Sequence, residues 1–150
     1  MNLSASPYTL KKLELRSKVS SFAAQYLQVP LIYVNQIGAN DNLIFDGNSF
    51  ILDKNGSKIK QLKSFSEDLS SWEIEQTKPE KNKFENSEMS SIFDALVLGV
   101  KDYAKKCGFK TALIGLSGGI DSALVSAIAT AALGSDNIYC VSMPSKWSSS

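Results

Sequence analysis

Within six residues, Ser117, Gly118, Gly119, Asp121 and Ser122 combine types and spacing that could do chemistry; the surrounding stretch, Leu113 to Ser122, reads LIGLSGGIDS. The apolar run Thr111 to Leu116 predicts a buried strand, Ser117-Gly118-Gly119 a turn, and the residues from Asp121 through Ala132 a helix that stops at Gly134. A strand, a glycine turn and a helix start together make an anion site, because the free N–H groups of the loop and of the helix N-terminus point at whatever sits there. The glycines let the backbone approach closely, and the hydroxyls of Ser117 and Ser122 add donors. The expected ligand is a chain of phosphates. The lysine-bearing loop GxxxxGK[ST] is excluded, since this stretch has no lysine. It carries an acid instead, and a carboxylate beside phosphates is repulsive unless a cation intervenes, so Asp121 suggests Mg²⁺. The plainer alternative makes Asp121 a helix cap and Ser-Gly-Gly a tight connection.

The elements that must position this loop follow from periodicity. Met89, Ile92, Phe93, Leu96, Val100 and Tyr103 form a helical stripe ending near Gly108. Strand 111–116, helix 121–133 and strand 137–143 then make a βαβ unit, with parallel strands and a right-handed crossover. Ligands in such sheets sit beyond the carboxyl ends of the strands, and Met143-Pro144-Ser145 falls at the second of those ends. Upstream, Leu15, Val19, Phe22 and Tyr26 recur at helical spacing between Thr9 and about Gln28, with Leu10, Leu13 and Leu27 beside them, which predicts that they form the packed face. Pro30 closes that helix, and Leu31 to Ile37 is a β-rich run ending in Gly38. The short apolar runs Leu43–Phe45, Phe50–Leu52 and Ile59–Leu62 alternate with turn residues, the strongest signal being Asn55-Gly56. A small antiparallel meander is expected there. From Ser64 to about Ser87 the composition turns polar and charged around Pro79, as a solvated linker would.

Lysine and arginine number 16 against 15 acids, so there is no basic surplus to suggest nucleic acid or a membrane surface. No basic-then-apolar leader opens the chain, and the longest apolar stretch, Ala123 to Leu133, is too short to span a bilayer. A cytoplasmic location is the expectation. Cys107 and Cys140 lack metal-ligand spacing and are expected to be reduced. The chain has no histidine, which removes the usual base for a serine or cysteine nucleophile. Chemistry here must use carboxylates, lysines, backbone dipoles or metal.

At SGGIDS the chain resembles the N-type ATP pyrophosphatases, whose signature is SGGxDS and which cleave ATP between its α and β phosphates. The first half, NLSASPYTLKKLELR followed by VPLIYVNQIGANDNLIFDGNSFILDKNG, resembles the C-terminal part of a carbon–nitrogen hydrolase (nitrilase-type) glutaminase domain. The second, from about Phe93 through FKTALIGLSGGIDSALVSAIATAALG to VSMPS, resembles the start of an NAD synthetase domain. In this order the two are similar to the glutamine-dependent NAD synthetase family over nearly the whole chain. The resemblance implies an α/β fold: part of an αββα nitrilase-like sandwich over 1–66, a linker over 67–87, and over 88–150 the first βαβ unit of a doubly wound parallel-sheet ATP pyrophosphatase domain. It implies glutamine, deamido-NAD and ATP as substrates, Mg²⁺ as cofactor, no nucleic acid or membrane partner, and a homo-oligomer as the full-length enzyme.

Carried over residue by residue, the family's ATP loop falls on Gly115, Leu116, Ser117, Gly118, Gly119, Ile120, Asp121 and Ser122, with Asp121 as the metal ligand. The serine of SASP and the basic residue six positions later contact glutamine in the family, which points to Ser6 and Lys12. Lys11 stands where relatives often have glycine. The family's Glu-Lys-Cys glutaminase triad is expected upstream of Met1, and Cys107 is no substitute for its cysteine. The chain therefore reads as an internal fragment, marginally stable and inactive alone. Two other readings stand beside it: another SGGxDS ATP pyrophosphatase, such as an amidotransferase or a tRNA-thiolating enzyme, and a non-catalytic nucleotide-binding module.

Overall fold

The structure is a computed structural model that describes residues 1–74 and 87–144. The fold is mixed α/β, and the chain divides into two compact units, Met1–Ala95 and Leu96–Ser150. Residues 75–86, most of the expected linker, lie outside the described residues.

The first unit is a four-stranded sheet with a helix on one face. Strand β1 (Asn2–Ser4) precedes helix α1 (Lys12–Leu27), which is followed by β2 (Leu31–Asn35), β3 (Ile37–Asn40), β4 (Leu43–Asp46), β5 (Phe50–Leu52) and β6 (Lys58–Gln61). The sheet order is β1-β2-β5-β6, with β1 parallel to β2 and the other pairs antiparallel, while β3 and β4 form a hairpin of their own. This corrects the expected meander in part: β5 and β6 pair antiparallel across Asn55-Gly56 as expected, but β4 pairs with β3 instead of β5. The run from Leu31 to Ile37 breaks at Gln36, whose N–H still donates to the Ser4 carbonyl while its own carbonyl accepts from Gly47 N–H at the far side of the hairpin. Sequence neighbours β3 and β4 are thus diverted out of the sheet, and β2 finds its partner in β5. Strand β1 is too short and polar to carry an alternation signal, and pairing alone defines it.

The packed face of α1 is also not the expected one. Leu15, Val19, Phe22 and Tyr26 are exposed, the last two by 68% and 78%, and the buried residues are Arg16, Ser20 and Ala24. The physical reason lies in size. Small side chains at 20 and 24 let the helix sit close to the sheet, where Ala24 meets Tyr33, Phe50 and Leu52, with Leu13 and Leu31 alongside. Tyr33 and Phe50, directly opposite in the β2–β5 register, stack with centroids 5.0 Å apart. The β5–β6 turn is tied to the same helix, since Ser21 Oγ donates to Gly56 O (2.8 Å) and Gln25 Nε2 to Asn55 O (2.7 Å).

Helix α2 (Glu88–Cys107) carries residues of both units. In the second unit, β7 (Ala112–Leu116), α3 (Ile120–Leu133), a short 3-10 turn (Ser135–Asn137) and β8 (Ile138–Ser142) follow one another. β7 and β8 are parallel, Ala112 opposite Ile138 and Leu116 opposite Ser142, as the βαβ reading expects. The strands are not buried, however: α3 packs on them, yet Leu113, Tyr139 and Val141 stay exposed. Cys107 and Cys140 are free and exposed. Among the described residues no helix is long and apolar enough to cross a membrane.

Candidate functional site

The loop in the second unit is built as its residue types require. Gly115 and Leu116 end β7, Ser117 to Gly119 make the turn, and Ile120, Asp121 and Ser122 form the first turn of α3. Gly118 adopts φ +86°, a conformation that glycine enters without steric cost. Four hydrogen bonds close the turn into a ring. The Gly119 N–H donates to Ser117 Oγ (3.3 Å), Ser117 Oγ lies 3.2 Å from Ser122 Oγ, and Ser122 Oγ donates to the Gly119 carbonyl (2.9 Å). The Ser117 N–H also points to Ser122 Oγ (3.3 Å). Because Ser122 gives its proton to Gly119, Ser117 is the donor in the hydroxyl pair. The two serines therefore shape the loop as well as offering hydroxyls at its mouth.

Beyond this ring, the amides of Ile120, Asp121 and Ser122 precede the first intrahelical bond, Ala123 N–H to Gly119 O, and have no protein acceptor among the described residues. The Asp121 carboxylate is exposed in the first turn of α3, whose N-cap is Gly119. No cluster of three or more potential metal ligands occurs among the described residues. The Asp121 carboxylate can offer one oxygen to a Mg²⁺ ion that keeps the rest of its shell as water and phosphate oxygen, while the neighbouring amide N–H groups suit phosphate oxygens and not the cation. It would not suit a cation that needs an all-protein cage. An added Cβ at Gly115 would lie 3.5 Å from the Met143 methyl group, so the chain after β8 comes back beside the strand end that feeds the loop.

The residues expected to contact glutamine lie in the first unit. Ser6 follows β1, and Lys12 is the first residue of α1. No hydrogen bond joins Ser6 to Lys12 among the described residues. Lys11, just before the helix, has φ +63°, in the left-handed region that glycine enters without strain. The Asn-Gly turn packs toward the other end of the helix, against Ser21 and Gln25, with Asp53 Oδ1 accepting from the Asn55 and Ser57 amides.

What the sequence did not foretell is the polar cluster that surrounds Ser6. Arg16, 5% exposed, pairs with Asp46, 1% exposed, at 2.8 Å. The same guanidinium donates from Nε to Ser6 Oγ (3.1 Å) and from Nη2 to the carbonyls of Ser6 (2.8 Å) and Pro7 (3.1 Å). Asn35 Oδ1 accepts the Ser6 N–H (2.9 Å), and Asn48 Nδ2 donates to the other oxygen of Asp46 (2.9 Å). Tyr8, in edge contact with Phe65, lies beside this cluster; burial first, then the Asp46, Glu88 and Asp94 carboxylates, pushes its phenol pKa up. Nothing in the helix pattern marked Arg16, which reads with the lysines as part of the face opposite the apolar stripe.

Comparison with known proteins places these features in context. Residues 92–150 match the NAD synthase family. The glutamine-dependent NAD(+) synthetase of Synechocystis is 48% identical over 99% of this chain, which covers 28% of that enzyme. The enzyme of the same name from Rhodobacter capsulatus is 39% identical over 96% of the chain, covering 27% of its own length. Among solved structures, the glutamine-dependent NAD+ synthetase of Acinetobacter baumannii in complex with ADP superposes with a TM-score of 0.89 at 36% identity, over 99% of this chain and 30% of that one. The chain thus spans less than a third of the curated relatives it matches. Over nearly all of its length, it is similar to a segment of proteins named glutamine-dependent NAD(+) synthetase.

Proposed function

We propose that this chain contributes the ATP-phosphate loop and part of the glutamine-binding surface of a ligase that makes NAD from deamido-NAD, ATP and glutamine-derived ammonia. One observation carries the reading. The amides of Ile120, Asp121 and Ser122 stand unpaired at the carboxyl end of a parallel strand, as a phosphate cradle requires, in a chain similar over nearly all of its length to these synthetases. Every named relative carries the same activity in its name, and none is another SGGxDS enzyme. In this reading residues 1–66 are part of a nitrilase-like sandwich, 67–87 a linker, and 88–150 the start of an ATP pyrophosphatase domain.

Gly115 to Ser122 hold the β and γ phosphates of ATP. The amides offer hydrogen bonds to oxygens that become pyrophosphate, and the Ser117 and Ser122 hydroxyls turn from each other toward the ligand. Asp121 is placed to hold Mg²⁺, which when bound offsets charge between the carboxylate and the phosphate oxygens. The nicotinate carboxylate of deamido-NAD attacks the α phosphorus, an O–P bond forms, and the α–β bridge breaks with pyrophosphate retained at the loop. Ammonia then forms the new C–N bond, and AMP leaves with the carboxylate oxygen. In the first unit, the Ser6 hydroxyl and the Lys12 ammonium bind the polar groups of glutamine, the cation suiting its α-carboxylate.

Titration calorimetry of ATP with Mg²⁺ on the chain and on its Asp121→Ala variant tests the loop. The expected result is saturable binding weakened about tenfold or more by the substitution. Equal affinity in the two proteins would remove Asp121 from the metal site.

A further inference from the structure

Ser6 is more tightly held than a surface serine needs to be. Its N–H, its carbonyl and its hydroxyl oxygen are each engaged, by Asn35 Oδ1, by Arg16 Nη2 together with Asn35 Nδ2 (3.3 Å), and by Arg16 Nε respectively. Arg16 is fixed in turn by Asp46, whose oxygens also take Asn35 Nδ2 (3.4 Å) and Asn48 Nδ2, while Asn48 Oδ1 accepts from Gln61 Nε2 (3.0 Å). A guanidinium can only donate. Arg16 therefore occupies an acceptor position on the Ser6 oxygen and leaves the hydroxyl proton without a protein acceptor among the described residues. Ser6 itself is only partly buried, so that proton is available to a ligand.

We infer that Arg16 is a positioning residue for the glutamine site: it fixes Ser6 in place and commits the Ser6 hydroxyl to donate toward a carboxylate or carbonyl oxygen of bound glutamine. The inference rests on the reading that Ser6 contacts glutamine. A buried Arg–Asp pair could serve the fold alone, since such pairs specify packing as often as they stabilise it. Two features exceed that role. Nε is spent on a side-chain hydroxyl at the edge of the cluster, and Nη2 spans two successive carbonyls of the very segment that carries Ser6.

The test uses the Synechocystis synthetase with residues 1–150 of this chain in place of its own matching segment, assayed for glutamine hydrolysis. Arg16→Lys keeps a cation beside Asp46 but has one nitrogen, which cannot reach Asp46 and Ser6 with the same fork. It is expected to raise the KM for glutamine about tenfold with kcat changed less than about twofold, and Ser6→Ala is expected to do the same. The double variant should be no worse than Ser6→Ala, because the effect of Arg16 passes through Ser6. Additive losses, or a fall in kcat at unchanged KM, mean that Arg16 serves the fold alone and overturn the inference. An unchanged KM in Ser6→Ala, or an unsubstituted graft without glutaminase activity, overturns the underlying reading instead. Should thermal melting show Arg16→Lys unfolded, Asn35→Ser frees the Ser6 N–H and carries the same expected rise in KM, and no rise there overturns the inference.

Discussion

At the scale of single residues, the two candidate sites differ in how much of them could be read from residue types. The strand–turn–helix form of the SGGIDS loop was legible because it is local: glycine freedom, serine hydroxyls and a helix start act within six residues. The buried cluster around Ser6 was not, because Arg16, Asn35, Asp46 and Asn48 come from separate elements and only the fold brings them together. Lys11 is a local feature that its residue type did not announce, a lysine held in the left-handed region. A non-glycine residue in the left-handed region costs about 1–2 kcal/mol, whereas glycine's extra freedom in the unfolded chain costs about 0.5–1 kcal/mol. Lys11→Gly should therefore leave stability unchanged or raise it by up to about 1 kcal/mol in urea unfolding, and a loss would contradict the backbone assignment. Tyr8 gives a pH-dependent signature. Its pKa is raised on folding from the ordinary 10.0, so its contribution to stability is intact below that pH and is lost as pH climbs through the folded value. Lys58, whose pKa burial lowers, has the opposite sign, gaining as pH rises toward its ordinary 10.5. Urea midpoints of wild type and Tyr8→Phe, compared from about pH 9 to about pH 11, should show the variant losing less over that range. Parallel curves would mean that the phenol is not shifted.

At the scale of elements, periodicity located every helix and most strands but assigned the wrong face of α1 to the core. Leu15, Val19, Phe22 and Tyr26 are the more apolar stripe, yet Ser20 and Ala24 face the sheet because their size permits close approach. Hydrophobic spacing reports what could be buried, and close packing decides which side is. Docking of the β5–β6 turn against α1 depends on the same economy of volume. Gly56 has φ +77°, and a Cβ there would collide with Ser21, whose hydroxyl holds the Gly56 carbonyl. Gly56→Ala combines a strained backbone with a steric clash and should cost about 2–4 kcal/mol, seen as a lower urea midpoint at unchanged slope. A cost under about 0.5 kcal/mol would show that the turn does not pack on the helix. The meander failed in part for a related reason. Pairing β2 with β5 across the β3–β4 hairpin is a non-local choice that turn residues alone cannot announce.

At the scale of the whole molecule, the chain matches less than a third of its curated relatives and leaves Leu113, Tyr139 and Val141 of its parallel strand pair exposed, along with the apolar stripe of α1. Exposed apolar faces of this kind are available to pack against further protein, and the relatives that carry the NAD-forming activity in their names are much longer than the part this chain matches. The most direct test therefore uses a complete synthetase. With residues 1–150 replacing the matching segment of the Synechocystis enzyme, NAD formation from deamido-NAD, ATP and glutamine should persist. Asp121→Ala in the same graft should lower kcat/KM for ATP about a hundredfold, in line with removal of a charge-stabilising ligand from a phosphate-transfer site. A graft that makes no NAD, or one that makes it equally well without the Asp121 carboxylate, would contradict the assignment of this loop as the ATP site.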